Sequence, residues 1–174
     1  MGREAIPRPK YWTILPSPLG MLTLASDGEA LTGLWLEGQR YSPANPNPAD
    51  RRELPVFLET ERWLAVYFSG REPDFTPPLA PEGTAFQQAV WALLREIPYG
   101  KTRSYGDLAR QLAVQRGACS ARAVGSAVGR NPISILIPCH RVVGADGSLT
   151  GYAGGLDRKR QLLQLEHLQV SKNH

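Results

Sequence analysis

The sequence predicts an α+β protein in two parts. Residues 1–78 form a small N-terminal antiparallel sheet with one helix, and residues 79–174 form a mostly helical domain built around a helix-turn-helix. Three observations carry this expectation. Short β-rich runs separated by turn residues occupy the first forty positions. The proline-rich stretch "REPDFTPPLAPEG" (71–83) interrupts the chain, and helical periodicity with start signals follows it.

Within "YWTILPSPLGMLTLASDGEALTGLWLEG", the breaks "PSPLG" and "SDGEA" separate three strand-like runs, so an antiparallel meander is expected. The segment "YSPANPNPADRR" (41–52) holds Pro43, Pro46 and Pro48 and reads as a surface loop. "PVFLETERWLAVYFSG" (55–70) reads as a helix, with Pro55 in its first turn and Gly70 at its end. No residue constellation in this half suggests chemistry. After the second break, "TAFQQAVWALLREI" begins with Thr84 and Gln87 at capping-box spacing, and Phe86, Val90, Leu93, Leu94 and Ile97 share one face. Ser104 and Asp107 mark a second start in "PYGKTRSYGDLARQLA". The turn "VQRGAC" then leads into "SARAVGSAVGRN", where Ala121, Val124, Gly125 and Val128 form a small apolar stripe and Arg122, Ser126 and Arg130 another face. Two short helices with a tight turn and outward arginines form a helix-turn-helix pattern, which many non-binding helical pairs share.

Charge follows the same division. Residues 1–100 carry 9 Lys/Arg and 12 Asp/Glu, whereas residues 101–141 carry seven basic side chains against Asp107 alone. The whole excess of the +4 chain therefore lies in one short stretch, which raises polyanion binding above a merely solvated face. At 42% hydrophobic and 21% charged residues, the 174-residue chain has a globular composition. No apolar run reaches the roughly 18 residues of a membrane span. "MGREAIPRPKYW" lacks the apolar core of a signal peptide, and Ile6 disfavours myristoylation, so a cytoplasmic protein is expected, or a nuclear one in a eukaryote. The two cysteines, Cys119 and Cys139, are too few for a disulfide framework. The histidines His140, His167 and His174 make no zinc-type spacing with them, so no metal is expected.

"SILIPCHRVVGADG" (134–147) is the most informative segment. "ISILI" (133–137) reads as a buried strand that Pro138 ends, leaving Cys139 at its exit into a turn. A lone cysteine is most often a small core hydrophobe, and Cys119 reads that way. Cys139 is followed at once by His140 and Arg141, which are costly to bury alone, and a base or a positive charge beside a thiol makes it nucleophilic. Local chemistry therefore leaves packing and nucleophilic roles both open.

"FQQAVWALLREIPYGKTRSYGDLA", "ARAVGSAVGRNPISILIPCHRVV" and "GYAGGLDRKRQLLQLE" occur in this order across residues 84–167, and together they resemble the O6-alkylguanine-DNA alkyltransferase family. The resemblance implies a ribonuclease H-like N-terminal domain and a winged-helix C-terminal domain. It implies that Cys139 accepts the alkyl group, that His140 takes its proton through a water, and that Glu166 orients His140. Asn131 resembles the hinge asparagine around the cysteine, and Tyr105 the tyrosine that serves guanine N3. The loop "GYAGG", with Tyr152, Ala153, Gly154 and Gly155, resembles the active-site loop. The carbonyls of Cys139 and Val142 are the implied acceptors for the guanine amine. Arg122 resembles the arginine that fills the space of the extruded nucleotide. Ala121, Ala123, Gly125, Ser126 and Arg130 accompany it on the helix that enters the minor groove. Ala153 stands where some relatives have serine, so any hydroxyl contribution is lost there. The partner so implied is duplex DNA containing O6-alkylguanine (and possibly O4-alkylthymine as a further substrate), bound by a monomer without cofactor, in a stoichiometric, self-inactivating reaction. Two competing readings are a non-catalytic lesion sensor or winged-helix regulator, which would not need the acceptor cysteine, and a Cys-His-Glu hydrolase, which would turn over.

Overall fold

The computed structural model describes residues 9–43 and 46–166. Residues 1–8, on which the signal and lipidation readings chiefly rest, lie outside the described residues, as do His167 and His174.

The N-terminal meander forms as expected. Strands β1 (Tyr11–Leu15), β2 (Leu22–Ser26) and β3 (Leu31–Leu36) pair antiparallel in sequence order. Helix α1 (Pro55–Phe68) starts at its proline and ends before Gly70, whose φ of 91° suits a residue without Cβ. It buries Val56, Phe57, Thr60, Trp63, Leu64 and Tyr67.

The free edge of β3 joins the two halves. Leu31 donates to the Pro78 carbonyl at 2.8 Å, and Ala80 donates back to Leu31 at 2.8 Å. Further along, Leu34 donates to Pro132 at 2.9 Å and Ser134 to Leu34 at 3.1 Å. One edge strand is thus covered by the proline-rich linker and by the segment before Cys139, which satisfies backbone groups an open edge would expose.

Helices α2 (Ala85–Leu94), α3 (Tyr105–Arg116), α4 (Ala121–Gly129) and α5 (Leu156–Leu165) make up most of the second half. Both expected capping boxes are present, Thr84 with Gln87 and Ser104 with Asp107. The two-residue strands β4 (Arg103–Ser104) and β5 (Val142–Val143) pair in parallel. Trp91 on α2 donates its indole N–H to the Ala127 carbonyl at 2.9 Å, which fixes α4 from behind. No described helix is long and apolar enough to cross a membrane.

Two expectations need correction. The apolar run 133–137 is not a strand. Only Ile133 bridges, to Leu34, and the chain then turns, with Ile135 at φ 74°. A β-branched residue in that region is strained, and a surrounding network must hold it there. In α4 the buried residues are Val124, Ala127 and Val128, while Ala121 is exposed. Val124 and Val128 keep the expected face, and only the first turn, with Ala121, projects beyond the core, while Trp91 anchors the later turns at Ala127.

Candidate active site

Asn131 supplies the network that holds the strained turn. Its amide nitrogen donates to the carbonyls of Ile137 at 2.7 Å and Ile133 at 3.3 Å, and its oxygen accepts from the Ile133 N–H at 3.0 Å. One buried side chain thereby fastens both ends of the run leading to Cys139. A 3-10 turn, Cys139–Arg141, follows Pro138, and Val142 then enters β5.

Cys139 is only 5% exposed, yet it lines a cavity of about 210 Å³. The walls include Tyr105 at the start of α3, Gly125 and Ser126 on α4, and Tyr152 and Ala153 in the loop before α5. Arg40 and Tyr41, just after β3, close another side. Burial pushes the Cys139 thiol above its ordinary range, against which a hydrogen bond from Asn131 and the charge of Lys159 pull it down. The resting sulfur is therefore a thiol that needs a base.

His140 is fully buried and faces the other way, into a charged cluster. Its Nε2 lies 2.7 Å from Glu166 Oε2. Arg141 donates to the same carboxylate twice, from Nε at 2.9 Å and from Nη2 at 3.0 Å, and from Nη1 to the Ile97 carbonyl at 2.7 Å. The Gly100 N–H donates to Glu166 Oε1 at 3.0 Å, and the Tyr67 hydroxyl donates to Oε2 at 2.6 Å. These donors hold the Glu166 carboxyl at about 2 despite its burial, with His140 and then Arg141 responsible. Burial keeps His140 below its ordinary value, against the pull of Glu166, so the imidazole is neutral. With Nε2–H assigned to Glu166 by this bonding, Nδ1 keeps its lone pair, and it has no partner among the described residues. A buried neutral imidazole oriented by a carboxylate, next in sequence to a thiol, can accept that thiol's proton.

The loop from 150 to 155 is held from several sides. The Tyr105 hydroxyl donates to the Thr150 carbonyl at 3.3 Å. The Arg40 N–H donates to Ala153 at 3.0 Å, and Arg158 Nη1 donates to Glu37 at 2.7 Å and Gly154 at 3.3 Å. The glycines here answer to the protein itself. A Cβ on Gly154 would come within 2.6 Å of Leu36, and Gly155 has φ 97°. Neither lines the cavity, whereas Gly151, Tyr152 and Ala153 do.

On α4, Ala121, Arg122, Ala123 and Ser126 are exposed in a row beside the cavity wall. Arg130 is half-buried, with its guanidinium 4.5 Å from the centre of the ring of Tyr41, which lines the cavity. Val142 is buried behind Cys139. The structure thus brings Cys139, Tyr105, Tyr152 and Ala153 to one cavity, and His140 and Glu166 to the cluster behind it. Sequence reasoning missed Tyr67, Arg40, Tyr41 and Lys159. It flagged Arg141 only as costly to bury. Tyr67 and Arg40 come from the half that had no apparent chemistry, and only the fold places them here. Among the described residues no group of His, Cys, Asp or Glu could hold a metal ion.

A cysteine in a cavity, backed by a buried His-Glu pair and flanked by an exposed helix of small residues and arginine, is an arrangement suited to group transfer next to a nucleic-acid-binding element. Comparison with known proteins agrees. Residues 85–168 match the family model "6-O-methylguanine DNA methyltransferase, DNA binding domain", and residues 10–81 match the ribonuclease-like domain of the same family. A methylated-DNA–protein-cysteine methyltransferase of Haemophilus influenzae is 50% identical over 159 residues, 91% of this chain and 87% of the relative. One from Methanosarcina acetivorans is 46% identical, over 90% of this chain and 97% of the relative. The crystal structure of Mycobacterium tuberculosis OGT in complex with DNA superposes with a TM-score of 0.77 at 46% identity, covering 90% of this chain and 92% of that one. The chain belongs to the 6-O-methylguanine DNA methyltransferase family. It is a methyltransferase of direct-reversal DNA repair, and the non-catalytic alternative is not favoured.

Proposed function

We propose that Cys139 is the acceptor in a single, irreversible transfer of an alkyl group from guanine O6 in duplex DNA. The observation that carries this reading is the placement of Cys139 in the cavity with neutral, Glu166-bonded His140 at its back. His140 Nδ1 takes the thiol proton, through a water in the family's manner, and Glu166 stabilises the imidazolium that results. The thiolate attacks the alkyl carbon, the S–C bond forms as the C–O6 bond breaks, and Tyr105 gives a proton to the leaving base at N3. The proton held on His140 then restores Tyr105, so the net exchange is one alkyl group for one proton. A thioether at Cys139 has no group nearby to cleave it, which makes the protein stoichiometric.

The target base must leave the duplex to reach this cavity, at a cost of a few kcal/mol. Ala121, Ala123, Gly125 and Ser126 suit close approach to the minor groove, with Arg122 entering the stack and Arg130 beside Tyr41. The carbonyls of Cys139 and Val142 and the loop residues Tyr152 and Ala153 hold the base, while Gly154 and Gly155 shape the loop from behind. The protein acts as a monomer in the cytoplasm, with units of 1–78 and 79–174. Its DNA structure-bearing relative supports the partner.

Intact-mass analysis after incubation with an O6-methylguanine duplex tests the reading. One added methyl per protein, mapped to Cys139 and absent in Cys139→Ala, is expected. Continuous turnover, or unchanged mass with DNA binding intact, overturns it.

A further inference from the structure

Lys159 lies in the second turn of α5 and is 0% exposed, the only lysine among the described residues that is buried. Lysine is almost never fully buried without partners, because its ammonium loses so much hydration. Here Nζ donates to the Thr150 carbonyl at 2.7 Å and to the Gly151 carbonyl at 3.1 Å. The backbone N–H of the same residue donates to the Gly155 carbonyl at 3.1 Å. That backbone bond is the first of α5, so the Lys159 ammonium ties the start of the loop to the helix that follows its end, and the loop's middle, Tyr152 and Ala153, lines the cavity with Cys139.

The Thr150 carbonyl has a second donor, the Tyr105 hydroxyl at 3.3 Å. The proposed reaction asks that hydroxyl to serve the substrate base, so it must give up Thr150. Thr150 is an exposed residue, so water can reach its carbonyl, but the charge-assisted bond from the buried Lys159 ammonium is the stronger of its two protein donors. The shorter Lys159 bond keeps Thr150 satisfied while Tyr105 turns away.

We propose that Lys159 is a positioning residue for alkyl transfer: its ammonium holds the Thr150 and Gly151 carbonyls, sets the 150–155 loop against Cys139, and frees Tyr105 to exchange Thr150 for the substrate. The inference rests on the reading of Cys139 and Tyr105 given above. Burial brings the Lys159 ammonium down to about 8, while the nearby Cys139 favours its charged form. It therefore keeps its proton at neutral pH and in turn favours the Cys139 thiolate. His140 feels the same charge, which helps keep the imidazole neutral.

The test uses the full chain with Lys159→Met, Lys159→Arg, Tyr105→Phe and the Lys159→Met/Tyr105→Phe pair. Single-turnover methyl transfer from an O6-methylguanine duplex is followed alongside duplex affinity. Lys159→Met should slow the saturated transfer rate about 30-fold while changing Kd less than twofold. Lys159→Arg should recover part of the rate. The double variant should lose less than the product of the single losses, because both residues act through Thr150. Additive losses, or a Lys159→Met rate equal to wild type, overturn the proposal. If Lys159→Met does not fold, lysine-ammonium NMR of the wild type decides instead. Scalar couplings from Nζ to the Thr150 and Gly151 carbonyls should appear in the free protein and persist in Cys139→Ser bound to the lesion duplex. Their absence overturns it too. Failure of the wild type itself to gain a methyl on Cys139 would instead sink the reading of the site.

Discussion

The two faces of the cavity are built on opposite principles. Behind Cys139, His140, Arg141 and Glu166 are buried, and three separate parts of the fold, α1, the loop at Gly100 and the turn 139–141, contribute donors to one carboxylate. On the outer face, α4 shows Ala121, Arg122, Ala123 and Ser126 to solvent, held only by the helix beneath them. The buried face is over-determined because every polar group there needs a partner. The exposed face is free to be shaped by what binds it. Chemistry that requires a fixed proton path sits on the first, and recognition of a deformable duplex suits the second.

On this contrast the largest effect comes from Glu166→Gln. It leaves Arg141 buried without its counter-charge and removes the anion that would stabilise an imidazolium at His140. Breaking one partner of a buried pair costs about 3–5 kcal/mol. A fall of that size in urea-unfolding free energy, with methyl transfer slowed by roughly two orders of magnitude, is expected; a variant as stable as wild type would mean the cluster is solvated.

The same cluster sets the acid sensitivity of the fold. Glu166 titrates at about 2 in the folded protein and near 4.5 when unfolded, so its contribution is complete above pH 4.5 and is lost as pH falls toward 2. That is roughly 3 kcal/mol for this group. His140 works in the same direction at milder pH. Its folded value is depressed, so below 6.5 the unfolded chain takes a proton that the folded one refuses. Urea midpoints from pH 8 to 3 should fall first near 6.5 and more steeply below 4.5. With His140→Phe the upper phase should vanish, and its persistence would assign it to another group.

A smaller loss is expected for Tyr67→Phe. The change removes one donor from Glu166 Oε2 but leaves the ring stacked on Trp63, at 5.2 Å between centroids. Because His140, Arg141 and Gly100 still serve the carboxylate, about 1–2 kcal/mol of stability is expected to go. A several-fold slower transfer should accompany it. No change in either would separate the N-terminal helix from the proton network.

The contrast also explains what the sequence made legible. The meander, α1, both capping boxes and the helix pair follow from periodicity and start signals, which act over a few residues. The segment 133–137 did not, because its β-branched composition favours a strand while Asn131 and the edge of β3 bend it into a turn. Motif likeness pointed to Cys139, His140 and Glu166. Tyr67 and Lys159 carry no local mark: one reads as a core aromatic and the other as a solvated charge. Only the folded contacts reveal them, across 99 residues for Tyr67 and Glu166 and across the 150–155 loop for Lys159.

The smallest effect on stability, and the sharpest on selectivity, belongs to Arg122→Ala. The side chain is exposed on α4, so its loss should move the unfolding free energy by less than about 0.5 kcal/mol. Repair of duplex DNA should nevertheless fall, on the order of tenfold or more, while reaction with free O6-methylguanine base stays unchanged, because only the duplex needs its gap filled. Salt dependence separates two ways Arg122 could act. A phosphate contact would reduce the slope of log affinity against log salt by about one on removal, and weaken all duplexes alike. A side chain inserted into the stack should leave that slope nearly unchanged and be restored only in part by Arg122→Lys, whose compact ammonium lacks the planar group that stacks. Equal losses on duplex and free base would place Arg122 with the rigid face of the site, and would remove the contrast between the two faces.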